Sequence, residues 1–398
     1  MVVPDWIWFV FVFAHGCCIG SFLNVVVYRM PRDKSLMWPP SACPACSRHI
    51  HFYDNIPLIS WLILGRKCRF CKAPVSPRYF VIELLTAVIF LGVFIWYFSV
   101  DLREGMPVFL RGGWLVYLLH IIMLSAFIAA SAIDLELWII PLGICWFVTA
   151  AAFIASALGA CVIDAGEIAT YSLLPVASAA TGSLAAGATI GLAISGVLLM
   201  TGLLKRSYES QDSAQGSGAQ TDNTANGDCS EGPDEMPEED FNHRQEALRE
   251  IVFLLPVIVC SVAAYLIVGR VASAETLNDF PTQHPAIAGL MGSVWGYFVG
   301  CAVVWGIRIF GTLAFGKEAM GLGDVHLMGA AGAVIGPIMV VVAFFIAPFF
   351  GLAWAGSQMF FKKVRQIPYG PFLSLGVFIV MILNDWIWNR IGSMFYLY

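Results

Sequence analysis

The sequence predicts an all-α polytopic membrane protein of about 8–10 transmembrane helices with a small cytoplasmic zinc-binding four-cysteine segment. Three observations predict it. Of 398 residues, 59% are hydrophobic and only 12% charged, with a mean hydropathy of +0.78, whereas a soluble domain carries about 25% charged residues. Apolar runs of about 20 residues recur along the chain, each long enough to cross a bilayer. Two Cys-x-x-Cys pairs, Cys43/Cys46 and Cys68/Cys71, lie in one polar, basic stretch.

The first segment, 1–28, holds a span from about Trp6 to Tyr28. Asp5 stands where a cleaved signal peptide would be basic, and the apolar run is long enough to cross, so a span is expected rather than a leader. The polar segment 29–78 carries the four cysteines. Residues 79–164 form the first part of a membrane core, with spans at about Tyr79–Phe98, Gly113–Ile133 and Ile139–Cys161. Pro141 suits a first helical turn, where its missing N–H is harmless. An insert is expected at 165–283, with two extra helices at about Ser183–Leu204 and Ile251–Val268. Between them, 207–240 is rich in Ser, Asp, Glu, Gln, Gly, Asn and Pro, cannot bury a core and is predicted to be disordered. The second part of the core is 284–398. It runs through a span at about Ala286–Leu313, a loop Phe315–Gly323, a short helix Val325–Gly336, and crossings at Pro337–Phe361 and Pro371–Trp388.

Basic residues orient this map, because cytoplasmic loops are enriched in Lys and Arg. With the N-terminus outside, 17 of the 22 fall on the inner side; Arg103, Arg111, Arg270 and Arg390 fall outside and Arg308 within a span. The net charge is −5, with much of the acid in the linker, and no basic face suggests nucleic-acid binding.

Eleven cysteines with no secretory spacing argue against a disulfide framework. Six lie in apolar runs and read as small buried residues. Cys43-Pro-Ala-Cys46 and Cys68-Arg-Phe-Cys71, separated by 21 residues, match two knuckles of a closed tetrahedral zinc site. The surrounding Lys and Arg favour thiolate. His49 and His51 lie between the pairs and are read as solvated.

Two aspartates stand where carboxylates are costly, by about 2.5–3.5 kcal/mol at membrane depth. Asp134 ends the third span, and Asp324 follows Gly321-Leu322-Gly323. Each alone could be a helix N-cap. Together, at the same membrane face, they form a candidate catalytic pair in which one carboxylate activates water and its protonated partner polarises a carbonyl. Glu136, Glu318 and His326 nearby are read as interfacial solvation.

Several motifs carry a resemblance: Gly20-Ser-Phe-Leu-Asn-Val-Val-Val-Tyr-Arg-Met-Pro31, the two Cys-x-x-Cys pairs, Asp54-Asn-Ile-Pro-Leu-Ile-Ser-Trp61, Ser76-Pro-Arg-Tyr79, Glu83-Leu-Leu-Thr86 and Lys317-Glu-Ala-Met-Gly-Leu-Gly-Asp324. Over about 14–150 and 286–390 the chain resembles the type IV prepilin leader peptidases. The resemblance implies an inner-membrane aspartic endopeptidase that cuts the basic leader from prepilins and type II secretion pseudopilins at the cytoplasmic face. It also implies N-methylation of the new N-terminus with S-adenosylmethionine. Carried over, Asp134 and Asp324 are the catalytic pair, and Cys43, Cys46, Cys68 and Cys71 the zinc ligands. The partners are then prepilin and pseudopilin substrates and membrane lipid. Three features depart from the pattern: Leu142 rather than Asp after Pro141, His326 where lysine is common, and the insert. Two alternatives are a presenilin-like intramembrane aspartic protease and a non-enzymatic zinc-stabilised transporter.

Overall fold

A computed structural model describes residues 5–205, 207, 243–271, 274–361 and 368–395; apart from Ser207, the linker expected at 207–240 lies outside them. Among the described residues the chain is helical, with β pairing limited to two isolated bridges. Among the described residues eight helices are long and apolar enough to cross a membrane, or nine if one bent pair counts as a span. The fold class expected from sequence is therefore observed.

The helices are α1 Asp5–Arg29, α2 Ile59–Ile63, α3 Pro77–Phe98, α4 Gly113–Leu137, α5 Leu142–Val162, α6 Ala165–Tyr171 and α7 Ala179–Met200, followed by α8 His243–Val271, α9 Ala274–Gln283, α10 Pro285–Phe315, α11 Leu322–Ile335, α12 Pro337–Phe361, α13 Gly370–Ile382 and α14 Asn384–Phe395. Local chemistry sets several ends. Asp5 and Arg29 complement the dipole of α1. Ser76 caps α3, accepting from the Arg78 N–H at 3.3 Å, with Pro77 in the first turn.

The chain forms two compact units, one of Met1–Gly182, Ala272–Val303 and Leu322–Tyr398, the other of Ser183–Val271 and Val304–Gly321. In the first unit α4 is the most enclosed span, with 72% of its apolar window buried. It packs against α1, α3, α5, α11 and α13. The α1–α3 contact runs along Gly16 and Gly20, where an added Cβ would lie 2.7 Å from the Ala87 Cα and 2.6 Å from the Glu83 Cα. Such small residues let helices approach closely where the hydrophobic effect gives no drive between them. In the second unit α7 and α8 are joined by hydroxyls: Ser195 Oγ donates to the Phe253 carbonyl at 2.7 Å, and Ser261 Oγ to that of Leu184 at 2.9 Å.

The last crossing differs from expectation. It bends by 75° between α13 and α14. Asp385, in the first turn of α14, receives Arg103 Nη1 at 2.7 Å and the Glu104 N–H at 2.7 Å. A straight helix would carry this carboxylate away from the buried Arg103, so the ion pair accounts for the break.

Gly20→Ile should overpack the α1–α3 contact and destabilise the protein by about 1–3 kcal/mol. Thermal melting in detergent checks this, with Gly92→Ala, at a site with open space around it, expected to melt like the wild type.

Candidate active site and metal centre

Asp134 lies inside α4, one turn from its end, and its backbone carbonyl accepts from the Trp138 N–H at 3.0 Å. It does not cap the helix that follows, which Pro141 precedes. Its buried carboxylate Oδ2 instead accepts from the Gly370 N–H at 3.0 Å. Gly370 opens α13, so this is an unpaired first-turn donor meeting an anion at the positive end of a helix. Farther along the same contact Ser131 Oγ donates to Ser374 Oγ at 3.0 Å.

Asp324 is buried in the first turn of α11, which begins at Leu322 rather than at Val325. Ile140 packs beside both aspartate segments. A Cβ on Gly323 would come within 2.8 Å of the Ile140 Cβ, and one on Gly370 within 3.1 Å of its Cδ1 and 2.8 Å of Asp134 Oδ2. Gly370 thus hydrogen-bonds Asp134, and Ile140 lies against both Gly370 and Gly323, the residue before Asp324. The two carboxylates are brought to one end of the first unit, at the C-terminal turn of α4 and the N-terminal turns of α11 and α13.

Ile140, Tyr369 and Gly370 were not singled out from sequence. The Gly370-Pro371 step at the start of an apolar run was the available signal, since glycine there admits a carboxylate against the backbone. His326, expected to be solvated, is partly buried, with its Nδ1 2.9 Å from the Tyr297 Oη and its ring beside Trp146. Glu136 pairs with Arg78, and Glu318 with Arg308 at 2.6 Å.

The four cysteines converge: their sulfurs lie within 4.8 Å of one another, and Cys43 Sγ is 3.8 Å from Cys71 Sγ. The two knuckles repeat one backbone design. The backbone N–H groups of Cys43 and Cys68 donate to the Arg48 and Ala73 carbonyls at 3.0 and 2.9 Å, bridges join Ala42 to His49 and Lys67 to Pro74, and Ser47 and Lys72 take the left-handed φ values of 55° and 59°. Backbone N–H groups of Cys71 and Phe70 hold the Cys68 thiol down to about 6. Four sulfurs at these separations fit zinc, whose Zn–S bonds of about 2.3 Å span a tetrahedron with edges near 3.8 Å. His51 instead stacks on Tyr53 at 5.1 Å.

The segment docks on α3 through Glu83, whose Oε2 accepts from the Leu58 N–H at 2.7 Å. Leu58 holds φ 60° and ψ −50° in a tight turn closed by the Ile59 N–H on the Pro57 carbonyl at 2.6 Å; such a turn is rare and strained. Arg69 grips Asp54 through three bonds, at 2.5, 2.7 and 3.0 Å. A cavity of about 1050 Å³ is lined by α1, α3 and this segment, with Ser21, Asn24, Ser60, Trp61, Arg78 and Glu83 on its wall. Three buried polar atoms of that wall have no hydrogen-bond partner: Asn24 Oδ1, Trp61 Nε1 and Arg78 Nε. Buried polar atoms are rarely left so.

Fold and site together define a multi-pass membrane protein with two buried carboxyls at one end of its helices and a separate cluster of four cysteines. Residues 14–97 match the bacterial peptidase A24 N-terminal domain, and residues 252–356 the type IV leader peptidase family. The first match contains the four cysteines and the second Asp324; Asp134 lies between them, and the second begins within 165–283. A prepilin leader peptidase/N-methyltransferase of Myxococcus xanthus is 42% identical over 134 residues, covering 33% of this chain and 36% of that protein. A type 4 prepilin-like proteins leader peptide-processing enzyme of Escherichia coli is 41% identical over 141 residues, covering 30% and 46%. A prepilin leader peptidase/N-methyltransferase of Pseudomonas aeruginosa is 36% identical over 121 residues, covering 25% and 41%. The matches thus span less than half the length of these relatives. No solved structure matches. Two separate parts of the chain are thus similar to the type IV prepilin leader peptidases.

The purified protein should carry one zinc per chain, lost in Cys68→Ser. Metal should be retained at neutral pH and released in acid, where protons compete for the thiolates. Elemental analysis after dialysis at stepped pH checks both.

Proposed function

We propose that this chain is a membrane aspartic endopeptidase that removes the leader from type IV prepilins and type II secretion pseudopilins and then N-methylates the new N-terminus. The observation that carries the peptidase reading is that Ile140 lies against both Gly370, which hydrogen-bonds Asp134, and Gly323, which precedes the buried Asp324. One carboxylate, ionised, takes a proton from the attacking water. The other, protonated, donates to the scissile carbonyl as it becomes tetrahedral, and the proton held by the first passes to the leaving amine. The Gly370 N–H fixes Asp134, so the water need not reorganise the site. Apolar helices around the pair exclude bulk water. The names of the relatives support the substrate class.

The basic-residue bias supports an inner-membrane setting, with the N-terminus outside and the carboxyl pair at the cytoplasmic edge, where a basic leader leaves the bilayer. Cys43, Cys46, Cys68 and Cys71 would hold a structural zinc that folds a segment too small for its own core. The cavity beside it suits the methyl donor, S-adenosylmethionine. Asp54 is engaged by Arg69, which leaves Glu83 as the wall carboxylate to face a sulfonium, while the unpaired Trp61, Arg78 and Asn24 atoms supply donors and an acceptor for its polar groups. When bound, the donor supplies an electrophilic methyl group.

Asp134→Asn keeps an oxygen for the Gly370 N–H, so the fold should persist while cleavage of a prepilin peptide falls by about 10²–10⁴-fold. Asp324→Asn should behave alike, and full cleavage by both variants would end the paired-acid mechanism. Glu83→Gln keeps an acceptor for the Leu58 N–H but removes the charge. It should weaken S-adenosylhomocysteine or S-adenosylmethionine binding by about 10-fold or more in equilibrium dialysis, with peptide cleavage retained and the product unmethylated by mass spectrometry.

A further inference from the structure

Buried charge inside the second unit fastens the loop that leads to Asp324. Arg308 lies in the apolar run of α10 with its side chain 4% exposed, facing Glu250 of α8 at 5%. Arg308 Nε donates to Glu250 Oε1 at 3.0 Å and to Oε2 at 3.3 Å, and Trp305 Nε1 donates to Oε2 at 2.8 Å. The Nη1 of the same guanidinium donates to Glu318 Oε1 at 2.6 Å and to the Met320 carbonyl at 2.5 Å. The Ala319 N–H adds a bond to Thr312 Oγ1 at 3.3 Å. One rigid, planar group therefore holds a helix on one side and two points of the loop on the other.

The loop needs such a clamp. It starts at Gly316, at φ 67°, and ends at Gly321, which is peptide-bonded to Leu322 at the start of α11. Glycines leave the backbone free to take many conformations. Asp324 sits three residues beyond Gly321, in the first turn of α11. Glu250, in the stretch read from sequence as an insert, supplies the counter-charge that keeps Arg308 buried and aimed. A buried pair of this kind gives directional specificity and is a poor source of stability alone.

We infer that Arg308 is a positioning residue for the proteolytic site and that Glu250 holds it in place, so α8 serves catalysis. The inference rests on the endopeptidase reading. Three variants test it in the full chain in detergent: Arg308→Lys, which keeps the charge but cannot span Glu250, Glu318 and Met320 together; Arg308→Met; and Glu250→Gln. Steady-state cleavage of a prepilin peptide should show kcat lowered by about 10- to 100-fold with KM within about 2-fold of wild type. Hydrogen exchange of the 316–324 amides should speed in step with the loss. Exchange that speeds, or a melting temperature that falls, with kcat per folded molecule unchanged would make the pair purely structural and overturn the inference. If the wild type itself cleaves no prepilin, the endopeptidase reading fails separately. The clamp is then judged on exchange, and unchanged protection of 316–324 in all three variants overturns it.

Discussion

The bond from the Gly370 N–H to Asp134 Oδ2 joins residues 236 apart in sequence, and the arrangement of the first unit depends on it. A carboxylate among apolar helices must find a donor. The donor here is the unpaired start of α13, where the helix dipole favours negative charge. Satisfying both groups at once fixes the end of α4 against the start of α13. It also sets Gly370 against Ile140, which packs on Gly323 beside Asp324. Glycine at 370 is required by space: a Cβ there would press on the oxygen it should hydrogen-bond.

The cysteine segment obeys a different constraint. Between Met30 and Ser76 the regular structure is short: two 3-10 turns and the five-residue α2. Its core cannot hold it, and the paired knuckles bring four sulfurs to one point instead. Its other anchor is Glu83, inside α3. The strain at Leu58 is thus stored where the segment meets the helix, and such strain persists only when the surroundings over-determine it. The Asp54–Trp61 motif is legible in this light: Pro57 and Leu58 make the turn, Ser60 Oγ donates back to the Tyr53 carbonyl at 3.1 Å, and Asp54 takes Arg69.

Hydropathy and motif spacing made the spans, the cysteine cluster and the two aspartates visible in sequence, because each depends on local composition. What stayed hidden depends on long-range pairing. Asp134 read as a helix-end residue, but the helix end it satisfies belongs to α13, and no local pattern names that partner. His326 read as solvated because histidine usually is; Tyr297, 29 positions earlier, half-buries it. The break at Leu383 was read as a continuous crossing because Asn384 and Asp385 interrupt the apolar run too briefly to end it. Only Arg103, 282 positions away, gives Asp385 a reason to turn.

Two buried arginines show how so apolar a chain uses charge. Within the first unit Arg103 binds Asp385 at 2.7 Å and the Ser172 carbonyl at 3.1 Å. Within the second Arg308 binds Glu250, Glu318 and the Met320 carbonyl. Neither pair is a simple bridge between two helices, for each guanidinium also holds a carbonyl of irregular backbone. Such backbone cannot satisfy its own polar groups as a helix does, and at membrane depth it is tolerated only where protein supplies the partners. A lysine would offer a point charge in place of a fork. The buried charges therefore sit where helices break or turn, and the loops they hold are the ones that hydrophobic packing alone would leave undetermined.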